Sequence, residues 1–255
     1  MTVSKSSYLV LMNILAFILL VLVNGLAGSS TILGGKNTAQ ISDANPTRIT
    51  PAGYVFSIWG VIYILLGVFV VFQALPNQQG KGFQKRIGWL FVLSSALNII
   101  WLFLWQFEYL TLSVVVMFLL LASLIMIYLR LKIGKSTVSI KEKLALQLPF
   151  SVYLGWITIA SIANVATALV SSSWDGFGIS SETWAILVVM VALLITLLVV
   201  VTRKDVSYGL VSIWALTGIA MNQSEFPNIV LITEINAIII AISLVSMILF
   251  SRFKR

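Results

Sequence analysis

The sequence predicts an all-α protein that crosses a membrane several times, and three observations lead to that prediction. Hydrophobic residues make up 60% of the chain and charged residues only 9%, and the mean hydropathy is +1.06. Most of the apolar stretches reach the roughly 20 residues that a helix needs to cross about 30 Å of hydrocarbon. They also lack the alternation of barrel strands, so a polytopic helical membrane protein is the expected fold.

Prolines and short charged clusters divide the chain into eight apolar stretches, each of which is expected to be one span. The stretches lie at about residues 8–28, 53–75, 87–106, 111–131, 146–170, 183–202, 206–221 and 229–251. The first follows Lys5 as a signal peptide would, but its length and the lack of a clear cleavage site favour a retained helix. The seventh is short, and it is expected to tilt little, to thin the bilayer or to be partly re-entrant. A count of seven spans is the alternative.

Charged residues are distributed unevenly over the two sides that eight spans would create. The side of the N-terminus holds fourteen of the sixteen basic residues: Lys5, Lys81, Lys85, Arg86, Arg130, Lys132, Lys135, Lys141, Lys143, Arg203, Lys204, Arg252, Lys254 and Arg255. The other side holds only Lys36 and Arg48. By the positive-inside rule, both termini are expected in the cytoplasm and the protein in the cell membrane. The pI near 9.8 is then explained by topology and anionic lipid, and nucleic acid is not an expected partner.

The chain contains no cysteine and no histidine. Disulfides, thiolate nucleophiles, imidazole bases and ligation of haem or zinc by His or Cys are therefore excluded. No metal site and no bound cofactor is expected. The sequence also lacks the G-x-x-x-x-G-K-[ST] phosphate-binding loop, which leaves nucleotide-driven transport unsupported. These observations favour a binding, sensory or transport protein over an enzyme.

The segment from Ser29 to Gly53 is the long connection on the predicted external side. Its Gly34-Gly35, Asn45-Pro46 and Thr50-Pro51 pairs are typical of turns rather than of a soluble domain. A long ordered loop in a compact bundle is often a lid. A disordered connector is the alternative, and the composition does not decide between them.

Aromatic and amide side chains recur on one face of three predicted helices. In the fifth span, Tyr153, Trp156 and Asn164 lie at i, i+3 and i+11 and share a face. The third and second spans repeat the combination with Asn98, Trp101 and Trp105, and with Trp59 and Tyr63. Buried amides cost free energy unless they are paired, so Asn98 and Asn164 are expected to face the bundle interior. Two alternatives stay open: the asparagines join helices, and the tryptophans anchor spans at the membrane interface.

The stretch from Thr50 to Tyr63 joins a polar loop to an apolar helix and resembles the second helix of the tryptophan-rich sensory protein and translocator protein family (TspO/MBR). The family hallmark runs Pro-Pro-x-Trp-Val-Phe, then a Trp, then a Tyr four residues later. The matching residues here are Pro51, Tyr54, Val55, Phe56, Trp59 and Tyr63. Asn98 and Trp101 resemble its Asn-x-x-Trp element, and residues 153–164 are similar to its Tyr-Leu-Ala-Trp-x-x-x-Ala-x-x-x-Asn helix.

These three elements occur in the family's order and cover about residues 8–170. The resemblance implies a TspO-like five-helix bundle at residues 1–172, followed by three additional helices at residues 173–255. It also implies a flat hydrophobic ligand, such as a porphyrin or another tetrapyrrole, that is held by stacking and amide hydrogen bonds without axial ligation. Ala52, Tyr54 and Val152 depart from the family pattern. The mouth of the pocket and the kink of the fifth helix are therefore expected to differ.

A pocket is expected where the three aromatic faces meet. Its predicted ligand-binding residues are Pro51, Tyr54, Phe56, Trp59, Tyr63, Asn98, Trp101, Tyr153, Trp156 and Asn164. Among these, the amides of Asn98 and Asn164 are expected to donate hydrogen bonds to the ligand. The remaining expected partners are membrane lipids and, as one option, a second copy of the chain in a homodimer.

Three functions remain as hypotheses. A sensory or translocation protein that binds a tetrapyrrole is preferred. The alternative is a proton-coupled secondary transporter of a small organic solute that uses Glu234, an intramembrane carboxylate about two turns inside the eighth span with Asn236 close by. Another possibility for Glu234 is a protonated, hydrogen-bonded side chain without a role in transport. The third hypothesis for the protein is an enzyme that modifies porphyrins. Trp214 and Asn222 repeat the spacing of Trp156 and Asn164, and we interpret that repeat as coincidence.

Overall fold

The computed structural model describes residues 5–28 and 33–253, and in this part of the chain it contains helices and no strand. The long helices are α1 (Lys5–Gly28), α2 (Ile58–Ala74), α3 (Leu90–Gln106), α4 (Leu110–Arg130), α5 (Leu148–Ser171), α6 (Ser181–Arg203), α7 (Val206–Asn222) and α8 (Pro227–Phe253). Each corresponds to one of the eight predicted stretches. The predicted all-α, polytopic membrane fold is therefore confirmed.

The helices differ in how readily they cross a bilayer. Six are long and apolar enough to do so by length and composition, namely α1, α2 with the turn before it, α4, α5 with the turns before it, α6 and α8. The other two, α3 and α7, have 17 residues each. They extend for about 25 Å and fall slightly short of a hydrocarbon core of about 30 Å.

Short helical segments connect or extend these helices. They are an α-helix at Thr38–Ala44, 3-10 turns at Gly53–Ser57, Pro76–Gln78 and Gly176–Gly178, α-helical turns at Gly82–Ile87 and Ile140–Glu142, and a π-helical turn at Lys143–Gln147. The π-helical turn immediately precedes α5, whose second residue is Pro149. A proline has no backbone N–H and clashes with the preceding helical turn, and a widened turn accommodates it.

Hydrogen bonds between helices show that neighbours in the chain run antiparallel: Asn13 in the first half of α1 donates to Gln73 near the end of α2, and Asn164 in the second half of α5 donates to Ser113 near the start of α4. We call the end of the bundle where α1 ends and α2 begins the loop end, and the opposite end the basic end. The basic residues between α2 and α3, between α4 and α5 and between α6 and α7 all lie at the basic end. The assignment of that end to the cytoplasm stays a prediction.

Two clusters of buried hydrophobic residues fill the interior. The first comprises residues of α1 to α5 and of the segments that connect them, together with Tyr208, Val211 and Ala215 of α7. The second comprises residues of α6, α7 and α8 together with Ile49 from the connection between α1 and α2. Because α7 contributes to both clusters, it is the helix that joins the first five helices to the last three. The proposed boundary near residue 172 stays a prediction.

At the basic end, a buried carboxylate links three helices. Asp205 is the N-cap of α7 and is only 7% exposed. Its Oδ2 accepts a hydrogen bond from Tyr128 Oη of α4 at 2.8 Å, and the hydroxyl of Ser151 in α5 donates to the same carboxylate at 2.6 Å. The backbone N–H of Tyr208 donates to Oδ1 at 3.2 Å. Asp205 therefore holds the start of α7 against α4 and α5.

We expect Asp205→Ala to lower the free energy of unfolding by about 1–3 kcal/mol. The hydroxyls of Tyr128 and Ser151 would lose a buried acceptor, and α7 would lose its N-cap. Thermal unfolding in detergent, followed by circular dichroism, measures the change. Asp43→Ala, at an exposed position of the short helix Thr38–Ala44, is the control and should shift stability by less than about 0.5 kcal/mol. Equal small effects of both substitutions would contradict the proposed link.

Candidate ligand-binding site

Trp59, in the first turn of α2, is the centre of an aromatic cluster that three helices build. Its ring stacks on Tyr63 at 5.8 Å between centroids and lies 5.8 Å from the tilted ring of Trp101 in α3. The rings of Tyr153 and Trp156 in α5 meet it edge-on at 6.2 and 6.1 Å. Such edge-on and offset arrangements are the favourable geometries for aromatic pairs. The structure thus brings together the aromatic faces that were predicted for the second, third and fifth spans.

The cluster continues toward the loop end through two further rings. Phe56 meets Trp156 edge-on at 6.1 Å, and Trp105 stacks on Trp101 at 5.7 Å. Trp105 also donates a hydrogen bond from Nε1 to the backbone carbonyl of Thr38 at 3.2 Å. This bond ties the end of α3 to the short helix Thr38–Ala44. The aromatic cluster and the connection above it therefore form one continuous structure.

An apolar cavity of about 60 Å³ lies beside this cluster. Six of the ten predicted ligand-binding residues line it, and these are Pro51, Phe56, Trp59, Trp101, Trp156 and Asn164. The other four, Tyr54, Tyr63, Asn98 and Tyr153, do not line it. Thr38, Ser42 and Ile49 close the cavity from the connection between α1 and α2.

Two helices that were not predicted to form the pocket, α6 and α7, also contribute to the cavity wall. Their lining residues are Val188, Val189 and Ala192 of α6, and Ala215, Leu216 and Ile219 of α7. All six are ordinary apolar residues of membrane helices, so their sequence carries no sign of a binding site. The cavity lies between the first five helices and the last three, rather than inside a three-helix pocket.

One polar group in the cavity wall has no hydrogen-bond partner among the described residues. The indole Nε1 of Trp156 is buried, and the whole residue is only 3% exposed. Tyr63 Oη, behind the Trp59 ring, is likewise buried without a partner in the described part of the chain. Leaving such a donor unpaired in a buried site costs about 1–3 kcal/mol. A ligand that carries an acceptor would recover that free energy at Trp156.

The amide of Asn98 is fully buried and has two protein partners. Its Nδ2 donates to Tyr153 Oη at 3.0 Å, and its Oδ1 accepts from Asn24 Nδ2 of α1 at 3.0 Å. Asn98 therefore joins α1, α3 and α5, in agreement with the alternative that the asparagines join helices. The amide has a second N–H, but Asn98 does not line the cavity, so that donor does not reach a ligand there.

Asn164 has the same kind of environment but lies on the cavity wall. Its Oδ1 accepts from Trp101 Nε1 at 2.8 Å, and its Nδ2 donates to Ser113 Oγ of α4 at 2.8 Å. The first bond fixes the plane of the Trp101 ring against Trp59. Asn164 thus positions an aromatic wall of the cavity through a hydrogen bond.

Tyr54 and Glu234 lie outside the aromatic cavity. Tyr54 is 41% exposed, its ring meets Trp214 edge-on at 5.1 Å, and its hydroxyl donates to Met221 Sδ at 3.3 Å. Glu234 is exposed and lines a separate groove between α7 and α8. Its neighbour Asn236 donates instead to the carbonyl of Val189 in α6, at 3.2 Å.

The described part of the connection between α1 and α2, residues 33–57, has a defined structure over the cavity; residues 29–32 lie outside the described residues. Asn37 and Gln40 form a capping box at the start of the helix Thr38–Ala44. Gly34 has a positive φ of 72°, and a Cβ atom there would lie 2.6 Å from the carbonyl oxygen of Gln106. The chain can therefore pass this close to the end of α3 only with glycine at this position.

The model of a family described as TSPO-like protein matches residues 10–250. The match extends through α6, α7 and α8, beyond the region of residues 8–170 in which the motifs occur. Searches of curated proteins and of solved structures found no match.

We expect Asn98→Ala to lower the free energy of unfolding by about 1–2 kcal/mol, because Asn24 and Tyr153 would each lose a buried partner. Thermal unfolding in detergent measures the loss. Asn228→Ala is the control, since this amide at the start of α8 is exposed and its side chain donates to the half-buried Glu182. A variant as stable as the parent would show that the amide of Asn98 does not join the three helices.

Proposed function

This chain belongs to the TSPO-like protein family, and on that premise we propose that it binds a flat hydrophobic ligand, such as a tetrapyrrole, in the membrane-embedded cavity. The observation that carries the proposal is the indole Nε1 of Trp156, which lies in a wall of aromatic rings without a hydrogen-bond partner in the part of the chain that the structure describes. A flat conjugated ligand would stack on Trp59 or Trp101 and accept a hydrogen bond from Trp156. The proposed role is sensory or translocating.

The side chains of the cavity wall fit a tetrapyrrole that binds without coordination of its metal by the protein. The chain has no histidine or cysteine, so stacking and hydrogen bonding are the interactions that its cavity offers such a ligand. The carbonyl or carboxylate oxygens of a tetrapyrrole are suitable acceptors for the indole N–H. The exposed apolar side chains of the long helices support a place in a membrane, for which we propose the cell membrane, and the concentration of basic residues at the basic end supports both termini in the cytoplasm.

The size of the cavity adds a requirement to this proposal. Sites for small molecules usually enclose about 300–1,000 Å³, whereas this cavity has about 60 Å³. A tetrapyrrole would fit only if the wall moved outward. Residues 38–51 of the connection and helices α6 and α7 are parts of the wall that do not belong to the aromatic cluster. Binding would therefore involve a displacement of one of these parts.

We expect protoporphyrin IX to bind saturably to the purified protein in detergent and to shift its Soret absorption band. Trp156→Phe should raise the Kd about tenfold, which corresponds to about 1.4 kcal/mol, because phenylalanine keeps an aromatic ring but lacks the N–H donor. Since the readout is the absorption of the ligand, the loss of a fluorescent tryptophan does not affect it.

Trp89→Phe is the matched control, because Trp89 is 49% exposed and lies at the basic end, far from the cavity. Equal Kd values for both variants would remove Trp156 from the site. Loss of porphyrin absorbance that depends on light or oxygen and on Trp156 would instead favour the enzymatic alternative.

Glu234→Gln tests the transporter alternative. We expect the variant to bind protoporphyrin IX with an unchanged Kd, because Glu234 lies in the groove between α7 and α8 and not on the cavity wall. Transport of the ligand in proteoliposomes with an imposed pH gradient is measured in parallel. Flux that requires the gradient and disappears in the variant, with binding intact, would favour proton-coupled transport over sensing.

A further inference from the structure

We infer that α7 holds the mouth of the cavity closed and that its residues near the loop end set how fast a ligand enters and leaves. The mouth segment, residues 47–57, includes the start of the family motif. The inference rests on the proposed binding function, and it assigns to α7 the regulation of that same site. The inference does not depend on the chemical identity of the ligand.

Hydrogen bonds from α7 side chains fix the backbone of the mouth segment. Asn222 Nδ2 donates to the carbonyl of Thr50 at 3.1 Å. Gln223 Nε2, immediately after α7, donates to the carbonyls of Thr47 and Thr50, both at 3.2 Å. Thr50 is only 3% exposed, so its carbonyl has little access to other donors. These three bonds hold the first half of the mouth segment against the end of α7.

Two further bonds hold the second half. The backbone N–H of Ala52 donates to the carbonyl of Gly218 at 3.0 Å, and Trp214 Nε1 donates to the carbonyl of Val55 at 3.1 Å. The bonds follow one side of α7 over about two turns. Together with Asn222 and Gln223 they form a seam, which we call the α7 seam.

Close packing at Gly218 brings the two backbones together. A Cβ atom at Gly218 would lie 2.1 Å from Cγ2 of Val55, and Val55 is fully buried. The same atom would lie 3.6 Å from Pro51 Cβ. A side chain at residue 218 would therefore push the mouth segment away from α7, since Cγ2 has no free space to move into.

The α7 seam lies along one edge of the cavity. Pro51 and Phe56 line the cavity from the mouth segment, while Ala215 and Ile219 line it from α7. Separating the mouth segment from α7 would thus open the cavity directly toward the loop end. Such a displacement would also supply the volume that a tetrapyrrole needs. Trp214, Gly218, Asn222 and Gln223 are positioning residues, because none of them lines the cavity.

The experiment uses the full-length protein with Asn222→Ala and Gln223→Ala combined. The binding kinetics of protoporphyrin IX are measured by stopped-flow absorbance. We expect the association and dissociation rate constants to rise together, each about five- to tenfold, and the Kd to stay within twofold. This pattern follows because both the free and the occupied protein would open more often. Asn228→Ala, at the same end of the bundle, is the control and should change neither rate constant.

A second measurement reports on the seam without any ligand. Hydrogen exchange of the Ala52 amide, which is bonded to Gly218, should become faster in the double variant than in the parent. Unchanged exchange would overturn the inference, and so would a raised Kd with an unchanged association rate. Failure of the proposed function is distinct, because the parent protein would then show no Soret shift while exchange still reported on the seam.

Two substitutions that compensate for each other test the packing of Gly218 against Val55. Gly218→Ala should accelerate exchange at Ala52 and both rate constants more than the double variant does. Adding Val55→Ala removes the clashing Cγ2 atom and should return the exchange rate and the rate constants toward those of the parent. If Val55→Ala gives no recovery, the contact between Gly218 and Val55 does not close the mouth.

Discussion

Polar side chains buried among membrane helices must find hydrogen-bond partners inside the protein, because the hydrocarbon around the bundle offers none. Asn98 meets this constraint with Asn24 and Tyr153, and in doing so fixes α1, α3 and α5 relative to one another. Asn164 meets it with Trp101 and Ser113. The aromatic cluster around Trp59 depends on these bonds, because they set the positions of two of its rings. The cavity therefore has a rigid side that hydrogen bonds define.

Helix α7, on the other side of the cavity, is attached to the rest of the protein in different ways at its two ends. Near its start, Asp205 is held by buried hydroxyl groups of α4 and α5. Near its end, Asn222 and Gln223 reach backbone carbonyls of an interhelical connection. The first attachment is buried in the bundle, whereas Asn222 is exposed. Gln223 is buried, so Asn222 is the exposed part of the second attachment, and we expect this end of α7 to separate from the connection before the end at Asp205 separates from α4 and α5.

The sequence predicts the parts of this architecture that repeat along one helix. Apolar stretches located all eight helices, and the spacing of Trp59 and Tyr63, of Asn98 and Trp101, and of residues 153–164 identified the faces that meet in the aromatic cluster. Contacts between distant segments have no such periodicity. Val188 and Ala192 line the cavity, yet they are indistinguishable in sequence from residues that face lipid. Trp214 and Asn222 repeat the spacing of Trp156 and Asn164 in the sequence, but their contacts with the mouth segment are visible only in the fold. Asp205 lies at a predicted span boundary, where a charged residue attracts no notice.

The contact between Val55 and Gly218 also has a consequence for biosynthesis. The ribosome adds about 160 residues between these two positions, which takes roughly 10–30 s at about 5–20 residues per second. During that interval α2 has already entered the membrane, but the helix that closes its mouth does not yet exist. Once α3 and α5 have followed α2 into the membrane, the nascent chain therefore exposes the aromatic cluster before α7 can cover it. On the proposed binding function, a ligand captured at that stage would be enclosed as α7 inserts.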